Sequence, residues 1–329
     1  MKIKEENIRP ESLIKEYKKL FKDDLSRFLK DKHTFIIVNC PACNSKHYKS
    51  AFKKRGFSYV NCSNCNTLFV NPRPTPKLLT KFYTKSKSIE YWNKIYSSTE
   101  EFRRKKIFIP RVKQIIKFCK KYKILHLSAM DVGAGYGTFC EELSKTKYFK
   151  KIIAVEPSKT QSDTCKKKGI RVLTKPIENI PTQSADLITN FELIEHLFDP
   201  KSFVQNCAKS LSKNGIFVLT TPNSDGFDIS VLGKLSDNVI APNHLNLFNE
   251  FSIKHLLTNC GFEILEYNTP GKFDAELVRK KILDGEYKNP NPFFKRILIE
   301  KWDELGETFQ NFLIKNNLSS NMWIVARKK

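Results

Sequence analysis

Four cysteines are the first residues whose types and spacing imply chemistry. Cys40-x-x-Cys43 is followed, after 18 residues, by Cys62-x-x-Cys65. Two such pairs offer four thiolates from two tight turns, a closed tetrahedral shell suited to structural Zn²⁺ with no position left open for reaction. Two disulfides or a redox pair explain the doubled spacing less well. A second group lies in "DVGAGYGTF", Asp131 to Phe139. Gly133, Gly135 and Gly137 follow a short apolar run and let the backbone turn sharply with a ligand against it. Glu156 ends the next apolar run, 23 residues beyond Gly133. A carboxylate there accepts ribose hydroxyls, so loop and acid together imply an adenosine-type cofactor. A third group comprises Glu192-x-x-Glu195-His196 and, in "APNHLNLFN", His244.

The elements that must position these groups are legible as a change of rhythm. From about residue 124, "ILHLSAMDVG", "IIAVEP", "IRVLTK", "ADLITNF", "GIFVLTTP" and "FEILEY" alternate with amphipathic segments. This βαβ pattern predicts an α/β fold, a mostly parallel Rossmann-like sheet with helices on both faces. Ligands of such sheets bind beyond the carboxyl ends of the strands, where the glycine stretch falls. The expected organisation is a helical segment over 1–38, a zinc ribbon over 39–74 and a helical linker or lid over 75–123. A core over 124–271, a helical insertion over 272–315 and a final core strand over 316–329 follow. The insertion either caps the site or forms a dimer surface.

The chain has 329 residues and a formal charge of 58 − 34 = +24. Lysines are spread throughout, so the charge reflects either compositional drift or an anion-binding surface, for a nucleotide-linked small molecule or for RNA. No apolar run approaches the roughly 18 residues of a membrane span. The charged start "MKIKEENIRP" lacks a secretory apolar core, which places the protein in the cytoplasm. Cys119, Cys140, Cys165, Cys207 and Cys260 are isolated and read as buried reduced thiols.

The dinucleotide fingerprint G-x-G-x-x-G does not fit, because its third glycine position is Thr138. The spacing D-x-G-x-G-x-G, with Asp131 in front, instead resembles motif I of class I S-adenosylmethionine-dependent methyltransferases. "ADLITNFELIEHLFDP", "NGIFVLTTPN", "NHLNLFNEFSIKHLLTNCGFEI" and "NMWIVARKK" resemble later segments of that family, in order. Residues 39–90, with "LFVNPRP" and Phe82-Tyr83, resemble the zinc-ribbon leader of a subgroup similar to enzymes of sugar and surface-glycan (polysaccharide) biosynthesis. The resemblance implies S-adenosylmethionine contacts from Asp131, Gly133, Ala134, Gly135, Tyr136, Gly137, Glu156, Pro157, Ile177, Asn190 and Phe191, with Tyr83 and Tyr91 closing over cofactor or substrate. Pro176 stands where many relatives carry an acid near the adenine, which leaves Ile177 to pack on the ring and Glu178 or backbone groups to read its edge.

Methyl transfer needs alignment and, for a hydroxyl or acidic carbon, a base. His244 is the first candidate base, the alternative being a loop-ordering hydrogen bond. If a helix starts at Glu192, then Glu192, Glu195 and His196 share one face. That E-x-x-E-H pattern resembles ubiquinone-biosynthesis O-methyltransferases, where it is associated with a divalent metal; base roles for Glu192 or His196, or helix capping, are the alternatives. The expected function is methylation of a small, anionic acceptor, a hydroxyl or carbon of a nucleotide-linked sugar or glycan precursor. An RNA methyltransferase is the first alternative, although "NFELIEH" lacks the Pro-Pro-aromatic motif of exocyclic-amine enzymes. A non-catalytic zinc-ribbon interaction module is the second, opposed by the intact glycine loop and Glu156.

Overall fold

Apolar residues at helical spacing build the first long element, α1 (Glu11–Phe28), which buries Tyr17, Phe21, Leu25 and Phe28 on one stripe. The ribbon follows as three short strands, β1 (Tyr48–Lys54), β2 (Phe57–Cys62) and β3 (Leu68–Val70). Next come α2 (Pro76–Lys85), α3 (Lys87–Arg103) and α4 (Ile109–Lys121). Thr75 caps α2 by accepting the Leu78 amide, and Pro76 occupies the first helical position, where its missing N–H costs nothing.

The alternating region gives β4 (Ser128–Val132), α5 (Thr138–Lys145), β5 (Lys151–Val155), α6 (Lys159–Lys167), β6 (Arg171–Leu173) and β7 (Ala185–Phe191). It continues with α7 (Pro200–Ser210), β8 (Leu211–Pro222), α8 (Phe227–Leu232), β9 (Asn246–Leu247), α9 (Glu250–Asn259) and β10 (Phe262–Asn268). The insertion forms α10 (Asp274–Leu283), α11 (Pro292–Lys295) and α12 (Trp302–Lys315), and β11 (Asn321–Lys328) ends the chain.

This computed structural model describes residues 5–180 and 185–329 and divides into two units. Of the described residues, the first unit comprises 5–37, 72–180, 185–189 and 209–216; the second comprises 38–71, 190–208 and 217–329. The first four residues of the charged start lie outside those described. A seven-stranded sheet has the order β10-β11-β8-β7-β4-β5-β6. Its β4–β5, β4–β7 and β5–β6 pairs are parallel, and β10–β11 is antiparallel. All five residues of β4 are buried, as expected of a parallel strand covered on both faces.

Within the second unit the ribbon forms its own sheet, ordered β1-β2-β3-β9. β9 pairs with β3 through Leu68↔Leu247 and Phe69↔Asn246, so the ribbon extends onto a strand far along the chain. In the same unit the insertion has a core of its own, where Ala275, Val278, Ile297, Leu298 and Leu313 pack with Phe227 and Leu232 of α8. Among the described residues no helix is long and apolar enough to cross a membrane.

Candidate functional site

The glycine loop of the first unit turns at the carboxyl end of β4. Gly133, Gly135 and Gly137 have φ of 80°, 55° and 72°, the left-handed region that only glycine enters without strain. The Gly133 and Ala134 amides donate to the Val155 carbonyl at 2.9 and 3.3 Å, and the Gly137 amide returns to Ala134 at 3.0 Å. Glu156, the next residue after β5, accepts the Gly135 amide on Oε2 at 2.9 Å and the Ser158 amide on Oε1 at 2.8 Å. Burial raises its pKa, against the lowering effect of those two amides. Each carboxylate oxygen retains a lone-pair direction for a further donor.

The loop leaves backbone open to a ligand at one position. A Cβ built on Gly135 meets no atom within 4 Å, so the backbone there borders open space. Gly137 differs, since its Cβ would lie 2.8 Å from the Cys165 sulfur and 3.0 Å from Ile170 Cδ1. Asp131 is buried at the end of β4, where Oδ1 accepts the Thr189 hydroxyl at 2.7 Å. Burial pushes its carboxyl up to about 6.

Other expected cofactor residues fall in varied settings. Ile177 is buried on a 3₁₀ turn, Ile177–Asn179, and Pro157 is exposed. Tyr83 packs edge-on against Phe82 at 5.8 Å, and Lys94 Nζ lies 5.5 Å above the Tyr91 ring. Contacts to Tyr136 of the loop come instead from α3, whose Tyr96 stacks on it at 4.0 Å and whose Asn93 accepts its hydroxyl. Glu100 of the same helix accepts the Thr138 hydroxyl at 3.0 Å and pairs with Lys168. Burial opposes the ionised Glu100, but Lys168 and its other partners bring its pKa below the ordinary value. Asn93, Tyr96 and Glu100 recur at i, i+3 and i+7, the one signal that marks them in the sequence.

The second unit holds the remaining groups. The four expected zinc ligands converge, with Cys40–Cys65 and Cys43–Cys62 sulfurs each 3.5 Å apart and all four within 4.8 Å of one another. Those separations exceed a disulfide bond and suit a tetrathiolate shell. Hydrogen bonding from Cys65 draws the Cys40 thiol well below its ordinary pKa.

The expected helix at Glu192 does not form. Glu192 takes a left-handed φ of 53° and donates its amide to the Thr220 carbonyl, and Ile194–His196 makes only a single 3₁₀ turn. Glu192, Glu195 and His196 therefore share no helical face. The Glu192 carboxylate instead accepts the Thr220 hydroxyl at 2.6 Å and the Asn321 amide at 2.9 Å. The structure groups Glu195 and His196 with His244, their ligating atoms within 4.8 Å of one another. The two imidazoles meet edge to face at 4.8 Å.

Each member of this group is held from behind. Glu195 Oε2 accepts the Thr221 hydroxyl at 2.9 Å, whereas buried Oε1 lacks a hydrogen-bond partner and lies 3.8 Å from His196 Nε2. Burial and the neighbouring Glu192 charge raise the Glu195 pKa well above the carboxylate range. His196 falls to about 3 through burial and the proximity of His244, despite a hydrogen bond to the Asn243 backbone. His244 Nδ1 lies 2.7 Å from the Asn238 carbonyl, which only accepts, so Nδ1 carries a proton and, in the neutral ring, the lone pair is on Nε2. In this unit Asn190 is fully buried and the Phe191 ring lies 6.0 Å from Trp323.

A family model described as a methyltransferase domain matches residues 100–267, just over half of the chain. A "probable S-adenosylmethionine-dependent methyltransferase" of Mycolicibacterium smegmatis is 34% identical over 85 residues, 26% of this chain and 31% of that protein. The ubiquinone biosynthesis O-methyltransferase of Bradyrhizobium diazoefficiens is 29% identical over 116 residues, 32% of this chain and 45% of that protein. The chain thus spans only 31% and 45% of the length of these two relatives. In fold it is similar to the plantazolicin methyltransferase BpumL, solved with SAH, at a TM-score of 0.51 and 14% identity over 76% of this chain and 94% of that one. With a D-x-G-x-G-x-G loop joined to a strand-end glutamate in a Rossmann-like sheet, the chain belongs to the class I S-adenosylmethionine-dependent methyltransferases.

Proposed function

We propose that the protein transfers a methyl group from S-adenosylmethionine to a hydroxyl or acidic carbon of a small anionic acceptor, a nucleotide-linked sugar or glycan precursor. The observation that carries the cofactor assignment is the Glu156 carboxylate joined to the Gly135 amide at 2.9 Å, beside open space at Gly135. When bound, the cofactor supplies an electrophilic methyl carbon on a sulfonium. Glu156 accepts the ribose hydroxyls with its remaining lone pairs, and the bare loop lets the methionine part lie against backbone. Asp131, Ala134, Tyr136 and Gly137 shape that loop; Pro157 and Ile177 add further cofactor contacts, with Tyr83 and Tyr91 at the lid.

His244 is the proposed base. The Asn238 carbonyl fixes its tautomer and leaves Nε2 to take the acceptor proton. A charge of +24 suits an anionic acceptor, and the four-cysteine leader with "LFVNPRP" supports the sugar class by resemblance. A second reading places a divalent metal on Glu195, His196 and His244, favoured by the unpartnered Glu195 Oε1 and the convergent ligand atoms. That set replaces the expected Glu192, Glu195 and His196. Zn²⁺ on the four cysteines is the proposed structural metal.

Labelled methyl transfer, run against nucleotide sugars, quinone precursors and total RNA, tests the acceptor class. Label in a nucleotide sugar supports the proposal. Label confined to RNA or to a quinone precursor refutes it.

A further inference from the structure

The ribbon offers four cysteines for a metal and no group for reaction, yet its strands reach the segment that carries His244. Residues 236–245 run from the end of a 3₁₀ turn, Gly233–Leu235, to β9, and contain no helix or strand to hold them. Three ribbon residues hydrogen-bond this segment. Lys54 Nζ, at the end of β1, donates to the Ser236 carbonyl at 2.8 Å. The hydroxyl of Tyr59, in β2, accepts the Ala241 amide at 2.8 Å. The Val70 amide, at the end of β3, donates to the Leu245 carbonyl at 2.9 Å.

From the other side, Asp228 of α8 accepts the Ser236 hydroxyl at 2.8 Å and the Asn238 amide at 3.2 Å. Asn238 then fixes His244 through its carbonyl. Leu245 and Asn246 carry the same support to the other members of the group. The Leu245 amide donates to the Glu195 carbonyl at 2.8 Å, and Asn246 Nδ2 donates to the Leu197 carbonyl at 2.8 Å.

We infer that the four-cysteine ribbon is the anchor that sets the position and tautomer of His244, with Tyr59 and Lys54 as positioning residues. This rests on the reading of His244 as the base. Tyr59 is 1% exposed, and burial raises the pKa of its phenol, which keeps the hydroxyl neutral and able to accept. Without that hydroxyl the Ala241 amide is left buried and unpaired, which the segment relieves only by moving. Movement of the Ala241 region releases Asn238 from Nδ1, and a neutral imidazole freed in water favours the Nε2–H tautomer. The base then presents a proton where it needs a lone pair.

The test compares the full chain with its Tyr59→Phe variant, which keeps the ring and removes the acceptor. ¹⁵N-histidine NMR, with the signal assigned by His244→Ala, reads the tautomer; amide exchange reads residues 239–245; zinc analysis checks the ribbon. The expected result is unchanged zinc, loss of the Nδ1–H tautomer at His244 and exchange of the Ala241 amide about tenfold faster, the loss of roughly one hydrogen bond. Lys54→Met serves as the second variant, with faster exchange expected at Asn238. In a turnover assay with a labelled nucleotide sugar, Tyr59→Phe lowers kcat and leaves KM for S-adenosylmethionine unchanged. Zinc-loaded Tyr59→Phe with the wild-type tautomer and exchange overturns the inference. If His244→Ala turns over normally while Tyr59→Phe still shifts the tautomer, the anchor stands and the base assignment fails.

Discussion

The Glu156 carboxylate accepts the amide of Gly135 at 2.9 Å, so the acid ending one strand braces the loop leaving its neighbour. The same carboxylate is thus both a loop brace and, in the proposed function, a ribose acceptor.

That dual role separates two glycines by the property they control. Gly137→Ala forces a Cβ to 2.8 Å from the Cys165 sulfur at a φ of 72°, and is expected to lower stability by about 1–3 kcal/mol. Gly135→Ala meets no atom within 4 Å and carries only the backbone strain of its φ of 55°, so a smaller stability loss is expected together with a loss of cofactor affinity. Denaturant unfolding and calorimetry on both variants check the contrast; equal affinity loss with equal destabilisation contradicts it.

The four-cysteine cluster predicts one zinc per chain in reduced protein. Cys62→Ser is expected to lose that metal and to expose residues 39–70 to protease, since zinc contributes about 10–16 kcal/mol in ribbon-sized peptides. Metal analysis and limited proteolysis measure both.

Asp131 carries a pH dependence. Burial raises its folded pKa to about 6 from an ordinary 3.8, so the folded chain holds this proton more tightly than the unfolded one. Its contribution to stability is full below about pH 4 and is lost as pH rises through 6. Between pH 5 and pH 7, Asp131→Asn is expected to gain about 1 kcal/mol on the wild type. Parallel unfolding curves across that window contradict the assignment.

His244→Ala is expected to lower kcat by about 10²–10⁴, the usual worth of general-base catalysis, with cofactor affinity unchanged. Single-turnover kinetics measures it. A loss confined to affinity places His244 outside proton transfer.

Much of this arrangement is local and therefore legible in the sequence. The glycine loop, the strand-end Glu156 and the paired C-x-x-C knuckles each declare themselves within a few residues. The Glu195–His196–His244 group does not, because 47 residues lie between the two histidines and the second is carried by the loop that leads into β9 of the ribbon sheet. The helix expected at Glu192 fails for a similar reason. Its amide continues the pairing with Thr220, and its left-handed φ ends any helical face before Glu195. Tyr59 has no motif at all; its role follows only from where the ribbon lies within its own unit.

The measurement closest to the central claim is isothermal calorimetry of S-adenosylmethionine binding to the wild type and to Glu156→Ala, with circular dichroism to verify the fold. The account predicts wild-type binding at one site and a fold-intact variant weakened by about tenfold or more, since a charge-assisted hydrogen bond is worth about 1.5–3 kcal/mol. No binding by the wild type, or equal affinity in the two proteins, contradicts it.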